Sequence, residues 1–151
     1  MDKIQLRQLF DYNTWTFTYV LWNNNTKEAI IIDPVLEQAE RDLNILQKLD
    51  LKLVYILETH VHADHITAAY MLKQKTNAKI CYGSKTGVQG SDLLLEDGQR
   101  INIGEIEICA IHTPGHTGGC TSYHVGNYIF TGDTLFIEGT GRTDFQGGSS
   151  S

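Results

Sequence analysis

The 151 residues carry 12 Lys and Arg against 18 Asp and Glu, a net charge of -6, with 41% hydrophobic and 20% charged residues. That length suits a single domain spanning residues 1–151, and that composition excludes a disordered chain. An acidic balance with no basic patch argues against nucleic acid and anionic membrane surfaces as partners, and no apolar run is long enough to span a bilayer.

The first eight residues contain no unbroken apolar segment of the secretory kind. Three cysteines, Cys81, Cys109 and Cys120, are too few and too unevenly spaced for a disulfide framework and read as buried thiols of a reducing compartment. The expected location is cytoplasmic, or the mitochondrial matrix if a transit segment has been removed.

Ile4 to Phe10, Trp15 to Trp22 and Glu28 to Asp33 are rich in aromatic and β-branched residues and read as antiparallel strands. After Asp33-Pro34, a helix entry, Leu36, Ala39, Leu43, Leu46 and Leu49 mark one helical face. Leu53 to Leu57 is a continuous apolar run, the pattern of a strand buried on both faces. A second helix over Ile66 to Thr76 stops at Asn77 and is followed by a strand over Lys79 to Tyr82. Beyond Ser84 the chain turns to strands: Arg100 to Ile103, Glu105 to Ile111, Cys120 to Val125 and Tyr128 to Thr131, the last two joined by a two-residue loop, Gly126-Asn127. An α/β layer fold with a largely mixed sheet fits this order. The closing Gly147-Gly148-Ser149-Ser150-Ser151 reads as loop.

Chemistry concentrates in three segments. Thr59-His60-Val61-His62-Ala63-Asp64-His65 puts three imidazoles and a carboxylate within six residues at the end of a buried strand, where α/β folds place their sites. In an extended segment His60 and His62 point the same way, and the turn into the next helix lets Asp64 and His65 converge on the same point. His112-Thr113-Pro114-Gly115-His116-Thr117-Gly118-Gly119 is a tight loop that fixes His116, whereas His112 and His124, both on strands, read as packed, hydrogen-bonded residues. Asp133 follows Gly132 at the end of the Tyr128 strand and is a third contributor.

Together, Thr59 to His65, His112 to Thr117 and Thr131 to Leu135 resemble the metallo-β-lactamase superfamily. The run Gly139 to Gly148, with Gln8-Leu9-Phe10-Asp11 and Ala29 to Val35, is similar to its persulfide dioxygenase branch, the sulfur dioxygenases of the ethylmalonic-encephalopathy type. The resemblance implies a metallo-β-lactamase-like αββα sandwich, of which this chain supplies mainly the N-terminal portion. Members of the family continue into a second βα half that adds a further metal-site histidine and part of the substrate pocket. Gly118, where relatives often carry proline, and Ala69-Tyr70 are smaller departures.

Ligand counting narrows the metal. One site could draw on His60, His62 and His116, and a second on Asp64 and His65 with Asp133 shared, which leaves a two-metal hydrolytic site short of a ligand. His60, His116 and Asp133 suffice for the two-histidine, one-carboxylate face of a non-haem ferrous ion, and the resemblance implies the same three. His62, Asp64 and His65 would then orient those ligands, hold water with Asp64 as the catalytic carboxylate, or fill a second site if zinc is loaded. The expected reaction is oxidation of glutathione persulfide to sulfite and glutathione at mononuclear iron. Arg142 is the candidate anchor for a glutathione carboxylate, with an ion pair to Asp144 or Glu138 as its structural alternative. A zinc-dependent hydroxyacylglutathione-type thioester hydrolase is the alternative enzyme, and a metal-binding half-fold or interaction module is the alternative that is not one. A sheet face and strand edges left open by a missing second half predict self-association as a homo-oligomer, and weak or no activity from these residues alone.

Overall fold

A computed structural model describes residues 4–12, 15–59, 63–84, 91–112, 121–131 and 135–137, with the backbone alone for 63–67 and 135–137. The first sheet opens with β1 (Ile4–Asp11) and β2 (Thr16–Asn23), paired antiparallel with Phe10 opposite Phe17. β3 (Glu28–Ile32) is antiparallel to β2, and β4 (Lys52–Leu57), β5 (Lys79–Gly83) and β6 (Leu93–Leu95) then add in parallel, giving a six-stranded sheet in sequence order. Two crossovers carry helices: α1 (Ala39–Lys48), preceded by a 3-10 turn at Leu36–Gln38, and α2 (Ala63–Thr76).

The second sheet is antiparallel throughout, ordered β11 (Leu135–Ile137), β10 (Tyr128–Phe130), β9 (Thr121–Val125), β8 (Ile106–His112), β7 (Arg100–Ile103). Gly126 sits at φ +60 in the two-residue connection expected between β9 and β10, which glycine adopts without a side-chain clash.

Two cores follow from the two-residue period of the strands. Ile30 and Ile32 of β3 point to the core between the sheets, with Leu21, Leu57, Ile103, Ile108, Tyr123 and Phe130. Ala29 and Ile31 point the other way, to a core with Val20, Ile56, Leu46 of α1 and Ala69 and Leu72 of α2. Helices, first sheet and second sheet therefore stack as successive layers, the helix–sheet–sheet part of the expected sandwich. Each large aliphatic side chain buried in these cores contributes about 1.5–3 kcal/mol.

Several expectations need adjustment. Val54 and Tyr55 are only half-buried, so β4 is sealed on both faces at Ile56 and Leu57 alone. The strands divide into two sheets, as the expected αββα sandwich requires, one mixed and one antiparallel. α2 begins at Ala63, so Asp64 and His65 lie in its first turn, not in the turn that leads to it. β6 and β11 were not anticipated; three residues are too few to show a period. Among the described residues no helix is long and apolar enough to cross a membrane.

Candidate functional site

β3 and β4 run in parallel and leave the first sheet at the edge where β2 enters it. In the second sheet β8 leaves and β9 enters with His112 opposite Thr121, and Phe130 pairs with both Tyr123 and Leu135. The two edges meet where the Thr121 amide donates to the Thr59 carbonyl at 2.8 Å. Thr59, His112, Thr121, Thr131 and Leu135, which flank residues 60–62, 113–120 and 132–134, are thereby brought to one end of the sandwich. Gly83, the last residue of β5, permits this approach: a Cβ there would lie 2.0 Å from Thr121 Oγ1.

A buried polar cluster sits at the same end. Asp33 adopts φ +56, a left-handed conformation that aspartate tolerates better than most residues. Each of its polar groups is bonded: its amide donates to the Leu57 carbonyl, and its carbonyl accepts from Thr18 Oγ1 at 2.8 Å. Its carboxylate accepts from the Thr59 amide at 2.8 Å and from Thr59 Oγ1 at 2.6 Å. Glu58 donates its amide to the Cys81 carbonyl, and its own carbonyl accepts from the Tyr123 hydroxyl at 2.6 Å. The backbone leaving β4 is therefore satisfied group by group up to residue 59.

Asp33, Glu58 and Thr59 are all at most 1% exposed. Burial pushes the Glu58 carboxyl well above the usual carboxylate range, and the charge of Asp33 and a hydrogen bond with it add to the shift. Burial, then the charges of Glu58 and Asp33, also raise the Tyr82 phenol, and Cys81 beside the cluster is pushed up by burial to about 12, an inert thiol.

His60, His62, His116, Asp133 and Arg142, together with Cys120, lie outside the described residues, and of Asp64 and His65 only the helical backbone is described. Among the described residues no three His, Cys, Asp or Glu side chains gather as metal ligands would. His112 is the packed residue expected: its Nε2 lies 3.0 Å from the Leu95 carbonyl, an acceptor, so the ring donates there, while its amide donates to Asp97 Oδ1. Cys81 is buried as expected, but Cys109 is only partly so.

Sequence reading took Asp33 for a helix entry and passed over Glu58, Tyr82 and Tyr123. One feature could have flagged Glu58: a lone carboxyl between an apolar strand and Thr59-His60, a position the fold must bury. A series of ring contacts was also missed, running from exposed Tyr12 and Trp15 through Phe10, Phe17 and Tyr19 to Phe130.

Residues 16–151 match the family model described as the metallo-beta-lactamase superfamily. The mitochondrial persulfide dioxygenase ETHE1 of Homo sapiens is 42% identical over 96% of this chain and 58% of its own length. A beta-lactamase hydrolase-like protein of Agrobacterium fabrum is 39% identical over 96% of this chain and 41% of its own. The crystal structure of ETHE1 from Myxococcus xanthus superposes with a TM-score of 0.80 at 43% identity, covering 96% of this chain and 64% of that one. The chain thus spans under two thirds of the length of each of these relatives.

Proposed function

Because the chain belongs to the metallo-beta-lactamase superfamily, we propose that it holds a ferrous ion through His60, His116 and Asp133 and oxidises the outer sulfur of glutathione persulfide. The observation that carries this reading is the 42% identity with the human persulfide dioxygenase across 96% of the chain. The donor chemistry fits the metal: two imidazoles and one carboxylate suit non-haem iron and leave positions open. The bond from Thr121 to Thr59 joins the strand ends beside His60 and His116, and Phe130, at the end of the strand before Asp133, pairs with Tyr123 of β9.

When bound, ferrous iron would offer adjacent positions to a sulfur anion and to dioxygen and exchange electrons with both. The chain's own residues do the rest. Arg142 grips a glutathione carboxylate with its planar fork and so aims the persulfide. His62 and His65 orient the neighbouring ligands. Asp64 holds the water that enters the products and takes its proton. The balance is one persulfide, one dioxygen and one water to glutathione and sulfite, the outer sulfur losing the four electrons that dioxygen gains.

The protein reconstituted anaerobically with ferrous iron should consume dioxygen when given glutathione persulfide and form one sulfite for each dioxygen. That ratio, more than the rate, carries the test. Thioester hydrolysis with zinc and no persulfide-dependent dioxygen uptake would instead assign the chain to the hydrolytic reading, which its 39% identity with the beta-lactamase hydrolase-like protein favours. Arg142→Lys keeps the charge and loses the fork, so KM for glutathione persulfide should rise about tenfold with metal content unchanged; an unaltered KM would remove Arg142 from the site.

A further inference from the structure

Among the described residues the two most exposed large hydrophobic side chains lie together where β1 turns into β2: Tyr12 is 79% and Trp15 75% exposed. The strand register locates that turn. Tyr19 of β2 pairs with Ile32 of β3, and Ile32 with Leu57 of β4, so Thr16 stands three residues past that level and Thr59 two. Two strand spacings, about 10 Å, separate β2 from β4. The turn therefore borders the end of the sandwich where the β4 exit meets β9. Its rings also connect to the inner side of the first sheet. Phe10 meets Tyr12 at 4.8 Å and Trp15 at 5.6 Å, both T-shaped, and Phe17 at 4.8 Å. Phe17 continues to Tyr19, and Tyr19 at 4.9 Å to Phe130, the last residue of β10. Phe17, Tyr19 and Phe130 belong to the core between the sheets. The series thus runs from solvent into that core and ends on the strand that leads to Asp133.

Packing does not account for Trp15. Its φ of +55 is a left-handed conformation that disfavours a bulky residue, and an indole so exposed gains little burial in return. We propose that Trp15 and Tyr12 form an aromatic rim that takes the peptide part of the thiol substrate, its flat amides lying on the ring faces and its ammonium group against the indole. This inference rests on the proposed glutathione substrate. Glutathione carries two amide planes and one ammonium group within a few bonds of its sulfur, so a rim about 10 Å from the β4 exit is within their reach.

The test is anaerobic binding of glutathione, the reduced thiol, to the protein loaded with ferrous iron, followed by calorimetry and by tryptophan emission, neither of which needs turnover. The chain has two tryptophans, and Trp22 is buried in the core between the helices and the first sheet. An emission change seen in the parent and absent from Trp15→Gly therefore belongs to Trp15. The parent should give a saturable change with the Kd that calorimetry gives. Trp15→Gly removes the ring and suits the positive φ, so it should fold and weaken Kd about fivefold or more, whereas Trp15→Phe should stay within about twofold. Tyr12→Ala should weaken Kd about threefold. Glutathione binding with the emission unmoved and Kd unaltered by Trp15→Gly would overturn the proposal and leave the proposed function standing. A parent that binds no glutathione would sink the proposed substrate and this inference with it. A dimer that Trp15→Gly dissociates in sedimentation, with Kd unchanged, would assign the rings to a second copy of the chain and overturn the proposal as well.

Discussion

The end of β4 and the start of α1 each bury a carboxylate, and they deal with its desolvation in opposite ways. At the β4 end, Asp33 accepts from the Thr59 amide and hydroxyl beside the buried Glu58, whose carboxyl burial and then the charge of Asp33 push well above the usual range. At α1, Asp42 is fully buried with one oxygen on Arg41 Nε at 3.1 Å, and its Oδ2 has no hydrogen-bond partner among the described residues. Burial outweighs Arg41 there and pushes the Asp42 carboxyl up to about 6. Arg41 meanwhile donates from Nη1 to the Phe10 carbonyl, and Gln38 Nε2 to Asp11 Oδ1, so the ion pair anchors the helix start to β1 at the expense of Asp42. The contrast teaches that burial alone does not decide what a carboxylate does for the fold; the number of donors aimed at it does.

The sharpest way to break this contrast is Asp33→Ala. It leaves the Thr59 amide and hydroxyl without their acceptor and places alanine at a positive φ, so stability should fall by roughly 3–5 kcal/mol in urea unfolding. A loss under about 1 kcal/mol would mean water replaces the carboxylate and the cluster is not a lock.

Asp42→Asn should act in the other direction, and with pH. Folding raises the Asp42 pKa from 3.8 to about 6, so between those values the native state binds the extra proton and stability falls as pH rises. The penalty is absent below about pH 4 and complete above about pH 6. The advantage of the Asn variant over the parent should therefore grow by roughly 3 kcal/mol between pH 4 and pH 7. Urea midpoints across that range check it, and a gap independent of pH would contradict it.

Gly83→Ala sharpens the comparison from the packing side, because its Cβ would collide with Thr121 Oγ1 where the two sheets meet. The expected cost is about 1–3 kcal/mol, eased when Thr121→Ala removes the hydroxyl in the double variant. Additive losses in that double variant would show that the close approach does not limit the packing of the sheets.

How much of this was legible in the sequence differs between the two regions. The alternation Ile101, Ile103, Ile106, Ile108 marked a sheet with one buried face, and the run through Ile56 and Leu57 marked the strand before the histidines, because both are periodic burial written in residue type. The three histidine- and aspartate-bearing segments stood out by composition. The buried polar cluster did not, since Asp33, Glu58 and Tyr123 lie 25 and 65 residues apart in the chain and become neighbours only through the pairing of β3 with β4 and the packing of β9 across them. Asp42 was hidden for a different reason: a carboxylate in the first turn of a helix is an ordinary sight, and nothing local says that it will be buried.

The central claim is that one carboxylate, Asp133, completes a ferrous triad with His60 and His116. Iron content after anaerobic loading and gel filtration, measured for the parent, Asp133→Ala and His65→Ala, tests it most directly. The account predicts close to one iron per chain in the parent, near-complete loss in Asp133→Ala and substantial retention in His65→Ala. Equal iron occupancy in the two variants would contradict it.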